Sequence, residues 1–280
     1  MPHRILLLRS IAPRIYQLVV HAPLIAKKAK PGQFVIVRVD ARGERIPLTL
    51  CDWSPTDGWI KIVFQEVGVT TKKLASLKPG NSVQDIVGPL GTPAEIARYG
   101  TVCVIGGGVG AAAAYARAKS LKQAGNVVVT ILGARSSDYI ILEDDFRKVC
   151  DELLIATDDG SRGFKGFVSQ LLEKLLSEER RFDYVFAAGP VPMMKAVAEV
   201  TRPYGIKTVV SLNPLMVDGT GMCGSCRVTV GGVRRFCCVD GPEFDAHLVD
   251  FSELMSRISM YVEEEKRALV LYEGASLHEG

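Results

Sequence analysis

The sequence predicts an antiparallel β-barrel, then a doubly wound α/β domain with a parallel sheet, then a small cysteine-bearing segment. Three observations support this prediction. Strand-length runs broken by turns fill residues 1–98, strand and helix patterns alternate over 99–212, and four of the seven cysteines fall within 213–280. A chain of 280 residues is long enough for two domains and an appendage.

The composition is that of an ordinary soluble globular protein, with 48% hydrophobic and 23% charged residues. The formal net charge is only +3, and no basic run is interleaved with aromatic residues, which argues against nucleic acid as a partner. An odd number of unevenly placed cysteines argues against a secreted disulfide framework. No apolar run approaches the ~20 residues of a membrane span. We therefore expect a cytoplasmic protein that does not bind membranes.

The first region is expected to form short antiparallel strands punctuated by the turns Pro31-Gly32, Asp57-Gly58 and Pro79-Gly80. Strands are predicted at 14–20, 34–39, 59–67 and 82–88. One short helix is predicted at 69–77, with Thr70 and Thr71 as candidate caps. This pattern indicates a barrel.

From residue 101 the pattern changes to alternating strands and helices, which indicates a parallel sheet covered by helices on both faces. Strands are predicted at 101–105, 127–132, 152–157, 184–188 and 208–212, and helices at 111–124, 143–149, 167–176 and 191–200. The last region is expected to contain a β-ribbon at 227–235 and one terminal helix over 252–273.

A glycine-rich turn stands where the first strand of this sheet meets its helix. Gly106, Gly108 and Ala111 match the pattern G-x-G-x-x-A, and Gly107, Val109 and Gly110 complete the run. Such a turn lets a pyrophosphate approach the backbone amides at a helix N-terminus, so it predicts a dinucleotide site. The same glycines also suit a tight strand-to-helix turn that binds no ligand.

Three later strand ends add candidate ligand residues, because ligands of open α/β sheets bind at the carboxyl ends of strands. Asp158 and Asp159 follow one strand, and Gly189 and Pro190 follow another, although either pair also suits a surface turn. The acid that usually ends the second strand is missing, and Arg135 stands there instead. The choice between NAD and NADP is therefore open, and Arg135 also suits a 2′-phosphate.

The barrel contains two further candidate binding segments. One strand carries Arg45, Pro47, Leu48 and Thr49, which combine a cation, a rigid turn and a hydroxyl. Gly68, Thr70 and Thr71 form a phosphate-sized nest at a helix start. Taken singly, each segment is more often an ordinary strand or helix cap, and only their combination indicates a flavin site.

The C-terminal region has the spacing of a plant-type [2Fe–2S] site, C-x4-C-x2-C…C, with Asp218 in place of the first cysteine. Cys223, Cys226 and Cys238 supply the thiolates. Neighbouring residues seldom bind one cluster together, and the spacing of eleven residues after Cys226, with the turn that follows, favours Cys238 over the adjacent Cys237. The same cysteines also fit a structural zinc knuckle, and Asp218 also fits a solvated turn.

The order of these motifs resembles the ferredoxin–NADP reductase superfamily over essentially the whole chain. More narrowly, the chain is similar to the small (alpha) subunits of NADH-dependent reduced ferredoxin:NADP oxidoreductases, the electron-bifurcating transhydrogenases also described as sulfide dehydrogenases. The electron-transfer subunits of dihydroorotate dehydrogenase are a related family, which has cysteine at the position of Asp218. The motifs that carry the resemblance are R-x-P-L-T from Arg45, Gly68 with Thr70 and Thr71, Gly88-Pro89-Leu90-Gly91, the 106–110 glycines, Gly189-Pro190 with Met193 and Met194, and the cysteine segment.

The resemblance implies an NAD(P)H-dependent flavoprotein oxidoreductase. Its barrel binds FAD, its α/β domain binds NAD(H), with NADP(H) possible, and its [2Fe–2S] cluster is held by Asp218, Cys223, Cys226 and Cys238. A larger flavin and iron–sulfur subunit is the implied partner in a heterodimer, and ferredoxin is reached indirectly through it. Arg45 stands one residue farther from Thr49 than in the superfamily's R-x-Y-S pattern, which weakens its assignment to the FAD pyrophosphate. No catalytic acid or base is expected, because hydride transfer between nicotinamide and flavin needs only orientation.

Overall fold

The structure is a computed structural model that describes residues 3–278. Its first sheet is antiparallel and seven-stranded, in the order β6-β1-β2-β5-β4-β3-β7. The strands are β1 (His3–Ala12), β2 (Ile15–His21), β3 (Phe34–Arg38), β4 (Arg45–Ser54), β5 (Trp59–Gln65), β6 (Ser82–Val83) and β7 (Asp85–Leu90). The helices of this region are α1 (Pro23–Ala26) and α2 (Val69–Ser76). The two edge strands, β6 and β7, follow one another in the chain, so the sheet is a nearly closed barrel. It surrounds a buried apolar core that includes Leu18, Leu50 and Ile62.

The second sheet is also seven-stranded, in the order β11-β10-β9-β8-β12-β13-β16. Its strands are β8 (Thr101–Gly107), β9 (Val127–Ala134), β10 (Glu152–Thr157), β11 (Phe164–Lys165), β12 (Tyr184–Ala188), β13 (Lys207–Ser211) and β16 (Glu243–Asp245). All pairs are parallel except that of β13 with β16. The helices that connect the parallel strands are α3 (Ala111–Gln123), α4 (Glu143–Arg147), α5 (Val168–Ser177) and α6 (Val191–Thr201). The predicted doubly wound α/β fold is confirmed.

The C-terminal region adds the hairpin β14 (Arg227–Val230) and β15 (Val233–Phe236), and then β16 at the edge of the second sheet. Two helices follow, α7 (Phe251–Ile258) and α8 (Val262–His278). The prediction of one continuous terminal helix is therefore wrong. The chain breaks at 259–261 because α7 buries Phe251 and Leu254 in the core, whereas α8 turns towards α2, where Lys72 pairs with Glu273 at 2.5 Å.

Two details of the barrel also differ from the prediction. The expected strand 82–88 is split at Gln84, whose N–H donates to the carbonyl of Val39 at 3.2 Å. Before Gln84 the chain pairs with β1, and after it the chain pairs with β3, which brings the two edges of the barrel together. Strand β1 was not predicted, because its apolar residues are consecutive rather than alternating, and Leu6 and Leu7 are exposed.

Helix α3 joins the two sheets. Its small buried residues let it pack closely against β8 on one side and β4 of the barrel on the other. At this contact Lys119 Nζ lies 2.7 Å from Asp52 Oδ1. The domain boundaries at 98/99 and 212/213 stay predictions. Among the described residues, no helix is long and apolar enough to cross a membrane.

Candidate functional site

A cleft of about 560 Å³ opens at the carboxyl edge of the parallel sheet, facing the barrel. Six of the predicted binding residues line it: Gly107, Gly108, Val109, Arg135, Asp158 and Pro190. The barrel contributes Ile15 and Gln65. Sequence reasoning missed Tyr139 and Phe167, whose aromatic rings also line the cleft. An aromatic residue just past a strand end was the only available signal for Tyr139.

The glycines of the 106–110 turn have different roles. A Cβ on Gly106 would lie 2.9 Å from the Cα of Ala111, and one on Gly110 would overlap the carbonyl of Ala188, so these two allow close helix–strand packing. Gly108 has φ +53°, and a Cβ there would meet no atom within 4 Å. It therefore leaves open space in the cleft directly before α3, where a phosphate group can reach backbone amides.

Arg135 and the two aspartates after β10 lie near one another, but they differ in whether their side chains are free to contact a ligand in the cleft. The guanidinium of Arg135 stacks on the Tyr139 ring at 3.8 Å from its centroid. Asp158 lines the cleft, whereas Asp159 accepts hydrogen bonds from the Ser161 N–H and hydroxyl inside its own turn. These bonds from Ser161 lower the pKa of Asp159. Gly189 packs behind the glycine turn, 2.6 Å from a Cβ built on Gly110.

The candidate flavin strand β4 pairs with β3 along the barrel, placing Thr49 opposite Phe34, Leu48 opposite Val35 and Pro47 opposite Ile36. Pro47, Leu48 and Thr49 are half-buried, and Arg45 is exposed at the start of the strand. Half-buried apolar and hydroxyl side chains on one barrel strand are of the kind that line flavin sites.

At the start of α2, the Thr71 hydroxyl accepts hydrogen bonds from the N–H groups of Val67 and Gly68, at 2.9 and 3.0 Å. The Thr71 side chain therefore stabilises the turn at 67–68 that precedes α2. The Thr70 hydroxyl donates to Glu44 Oε2 at 2.8 Å, a carboxylate that sequence reasoning missed. Here Glu44 occupies the Thr70 hydroxyl, and its negative charge would repel a phosphate at the same place.

In the cysteine segment, Cys226 and Cys238 are both buried, and their sulfur atoms lie 3.2 Å apart. Cys237 is also buried, and burial raises the pKa of its thiol. Cys223 is exposed, and a hydrogen bond with Ser225 lowers the pKa of its thiol. Asp218 Oδ2 accepts from the Cys223 N–H at 2.8 Å, and Oδ1 accepts from the Thr220 N–H at 2.9 Å.

Positive φ angles at Gly219, Gly221 and Gly224 fold this segment tightly. A Cβ on Gly219 would lie 2.8 Å from the Ile36 side chain, so the segment rests on β3 of the barrel, beside the candidate flavin strand. Three thiols and a carboxylate, gathered around glycine turns, suit an iron–sulfur cluster by their donor chemistry. Within the residues described, no three His, Cys, Asp or Glu side chains stand close enough to hold a single metal ion.

The chain is similar to known proteins over most of its length. The model of the iron–sulfur cluster binding domain of dihydroorotate dehydrogenase B matches residues 213–250. A dihydroorotate dehydrogenase B (NAD(+)) electron transfer subunit homolog from Thermotoga maritima is 50% identical over 257 residues, covering 92% of this chain and 90% of that protein. The electron transfer subunit from Bacillus caldolyticus is 36% identical over 249 residues, covering 85% and 93%.

The chain belongs to this family of electron transfer subunits and their homologues. The family has the fold of the ferredoxin–NADP reductase superfamily. A chain from the structure of the NADH-dependent reduced ferredoxin-NADP oxidoreductase, studied for flavin-based electron bifurcation, superposes with a TM-score of 0.91. It is 48% identical, and the match covers 96% of each chain.

Membership of the family makes the chain an electron-transfer subunit of an oxidoreductase. Its residues 213–250 are the part that matches an iron–sulfur cluster binding domain. The roles of the predicted site residues stay predictions, as does the cytoplasmic location.

Proposed function

We propose that the chain is the small subunit of an NADH-dependent reduced ferredoxin:NADP oxidoreductase. It passes electrons between NAD(H), FAD and a [2Fe–2S] cluster, and then to a larger flavin and iron–sulfur subunit. The similarity to a chain of that enzyme, 48% identical over 96% of both chains, carries the proposal. Asp218, at the position of the first cluster ligand, supports it.

In this proposal the α/β domain binds NAD(H) in the cleft at the 106–110 glycine turn. The cleft is bounded by Ile15 and Gln65 of the barrel, so a dinucleotide in it reaches the barrel surface. The chain's task there is to hold the nicotinamide against the flavin and to exclude water. Bound FAD supplies the exchange between a hydride and single electrons. No side chain has to accept or donate a proton.

Asp218, Cys223, Cys226 and Cys238 would hold the cluster. The segment that carries them rests on β3, whose Ile36 pairs with Pro47 of the candidate flavin strand. The residues that would hold the cluster and those that would hold the flavin are therefore neighbours, which would suit electron transfer between the two groups. Because the Cys223 side of the segment is exposed, with Met222 88% accessible, a partner subunit can approach the cluster there.

The second candidate is an electron transfer subunit of a dihydroorotate dehydrogenase. The match of residues 213–250 to the cluster-binding domain of dihydroorotate dehydrogenase B favours it. The two candidates use the same cofactors in this chain and differ in the larger subunit and its substrate. The cysteine that the dihydroorotate family has in place of Asp218 argues against this second candidate.

The experiment is to purify the chain without oxygen from its native source, to identify the subunit that co-purifies, and to assay the complex. We expect NADH-dependent reduction of artificial acceptors by the isolated chain. Transfer among NADH, ferredoxin and NADP is expected only in the complex.

Two results would contradict the proposal. One is oxidation of dihydroorotate to orotate by the complex with reduction of NAD(+), without ferredoxin-linked NADP reduction. The other is ferredoxin-dependent NADP reduction by the isolated chain at the rate of the complex, which would make the chain self-sufficient.

A further inference from the structure

A buried ion pair connects helix α3 to the segment that follows the last cysteine. Arg117 Nη1 lies 3.4 Å from Glu243 Oε2, and the two side chains are only 2% and 10% exposed. Arg117 is on the helix that begins at the glycine turn. Glu243 opens β16, five residues after Cys238. Neither residue was singled out from the sequence.

The surroundings hold Arg117 in one orientation. Its Nη2 donates to the Tyr184 hydroxyl at 2.5 Å, and its guanidinium lies 5.4 Å from the Tyr184 ring and 5.5 Å from the Phe186 ring. In the part of the chain that the structure describes, Arg117 Nε and Nη1 have no hydrogen-bond acceptor, so Nη1 meets Glu243 by charge alone. Burial raises the pKa of Glu243, and the positive charge of Arg117 opposes that shift.

Such a pair is poorly suited to stabilising the fold. Desolvation of two charges is repaid only when good geometry satisfies the remaining polar atoms, and here two guanidinium nitrogens lack acceptors. Apolar residues of similar volume often stabilise a core equally well or better. The best-supported use of a buried polar pair is to specify one arrangement of the elements that it joins.

Glu243 lies where three parts of the molecule meet. Its own strand pairs with β13 at the edge of the parallel sheet. A Cβ built on Gly32 of the barrel would be 2.9 Å from Glu243 Oε1, so the carboxylate also adjoins the barrel. Just before it, the carbonyls of Val239 and Gly241 accept from the Thr92 hydroxyl and N–H, at 2.8 and 2.7 Å, in the linker between the sheets.

We propose that Arg117 and Glu243 are positioning residues that hold the cysteine segment at a fixed place between the barrel and the α/β domain. The backbone bonds attach this segment to the sheet edge and the linker. The ion pair adds the tie to α3, which also contacts the barrel. This tie sets the distance from the flavin to the cluster, a role that rests on the function proposed above.

The test compares Glu243→Gln with Glu95→Gln, a matched change at an exposed carboxylate of the linker that pairs with Lys207 at 3.2 Å. Two readouts are followed after mixing with NADH: the rate of flavin reduction and the rate of cluster reduction. We expect Glu243→Gln to lower the ratio of cluster to flavin rate severalfold, because electron tunnelling slows steeply as the distance between donor and acceptor grows. Glu95→Gln should keep the wild-type ratio.

A second readout does not depend on activity. Hydrogen exchange of the backbone amides at 239–245 should be faster in Glu243→Gln than in the wild type, whereas Glu95→Gln should leave it unchanged. The midpoint potential of the cluster is measured in each variant, so that altered driving force is separated from altered placement. A rate change that the potential fully explains would overturn the proposal.

The double variant Arg117→Met with Glu243→Met covers the case in which Glu243→Gln does not fold, because it leaves no buried charge unpaired. It should fold and bind both cofactors, yet still show the low rate ratio and faster exchange. The single variant Arg117→Lys keeps the positive charge, so its ratio of cluster to flavin rate should lie between those of the double variant and the wild type. A folded double variant with the wild-type ratio and exchange would overturn the positioning role. By contrast, if NADH does not reduce the flavin of the wild-type chain, the proposed function itself is contradicted.

Discussion

The sulfur atoms of Cys226 and Cys238 lie 3.2 Å apart, although the two residues are 12 positions apart in the chain. Both thiols are buried, and burial raises the pKa of Cys238 to about 12. Two buried thiols in contact, with Cys223 on the same glycine-rich segment, fit the donor set of the predicted cluster.

The cluster prediction concerns its composition. The chain purified without oxygen should contain about two irons and two sulfides, as expected of one [2Fe–2S] cluster. Iron, labile sulfide and zinc are determined on the same sample. Zinc without labile sulfide would instead identify the structural zinc knuckle.

Asp218 is tested by substitution. Asp218→Cys should keep the cluster with a changed midpoint potential, because ligand type tunes the potential, and Asp218→Ala should lose or loosen it. Asp240→Ala is the matched control, since Asp240 also accepts a backbone N–H in this segment, from Phe236 at 2.7 Å. If Asp218→Ala and Asp240→Ala give the same cluster content and potential, Asp218 only shapes the turn.

The glycine turn is tested at Gly108, where a Cβ would project into the cleft. Gly108→Ala should weaken NADH binding about tenfold while FAD stays bound, because close approach of the pyrophosphate is blocked. Gly125→Ala is the matched control. Gly125 also has a positive φ, +83°, and open surroundings, but it lies beyond the C-terminal end of α3, away from the cleft. Both variants should lose about 1 kcal/mol of stability from the positive φ. Equal nucleotide affinity in the two would exclude a binding role for Gly108.

Arg135 is tested through cofactor preference. NADH is expected to reduce the flavin faster than NADPH, and Arg135→Ala should impair NADPH more than NADH if the guanidinium receives the 2′-phosphate. Stopped-flow reduction with each nucleotide measures both effects. Arg147→Ala is the control, because Arg147 is exposed and pairs with Glu143 on the surface. Faster reduction by NADPH in the wild type would reverse the predicted preference.

The stability of the α/β domain should depend on pH through Glu152. Arg180 hydrogen-bonds both oxygens of Glu152 and lowers the pKa of that carboxyl below its usual 4.5. The stabilisation is therefore present above about pH 4.5 and is lost as the pH falls through the lower folded value. Because both side chains are partly exposed, solvent screening limits it to below about 1 kcal/mol.

Thermal unfolding of the wild type and of Glu152→Gln at pH 7 and pH 3 measures this effect. The wild type should melt about 2 °C higher at pH 7, and the difference should be smaller at pH 3, which is closer to the lowered folded pKa of Glu152. Glu178→Gln, in an exposed pair with Lys174 at 3.8 Å, should show no such pH-dependent difference. A constant difference at both pH values would mean that the effect does not come from ionisation of Glu152.

Much of the fold was predictable because its signals are local. The strands 152–157 and 184–188 were predicted at their observed bounds, since short apolar runs between turns identify buried parallel strands. The glycine turn was found by its spacing, and the structure then separates Gly106 and Gly110, which allow packing, from Gly108, which faces the cleft. Consecutive apolar residues hid β1, because they carry no period of two.

The sequence by itself determined the order of the domains, the glycine turn and the spacing of Asp218, Cys223 and Cys226, because these depend on residues that are neighbours in the chain. Only the tertiary structure decided that Cys238 meets Cys226, that the cysteine segment rests on the barrel beside β4, and that Arg117 meets Glu243. Such contacts join residues far apart in the chain, and their geometry follows from how the two sheets pack around α3. No local pattern of residue types encodes that packing.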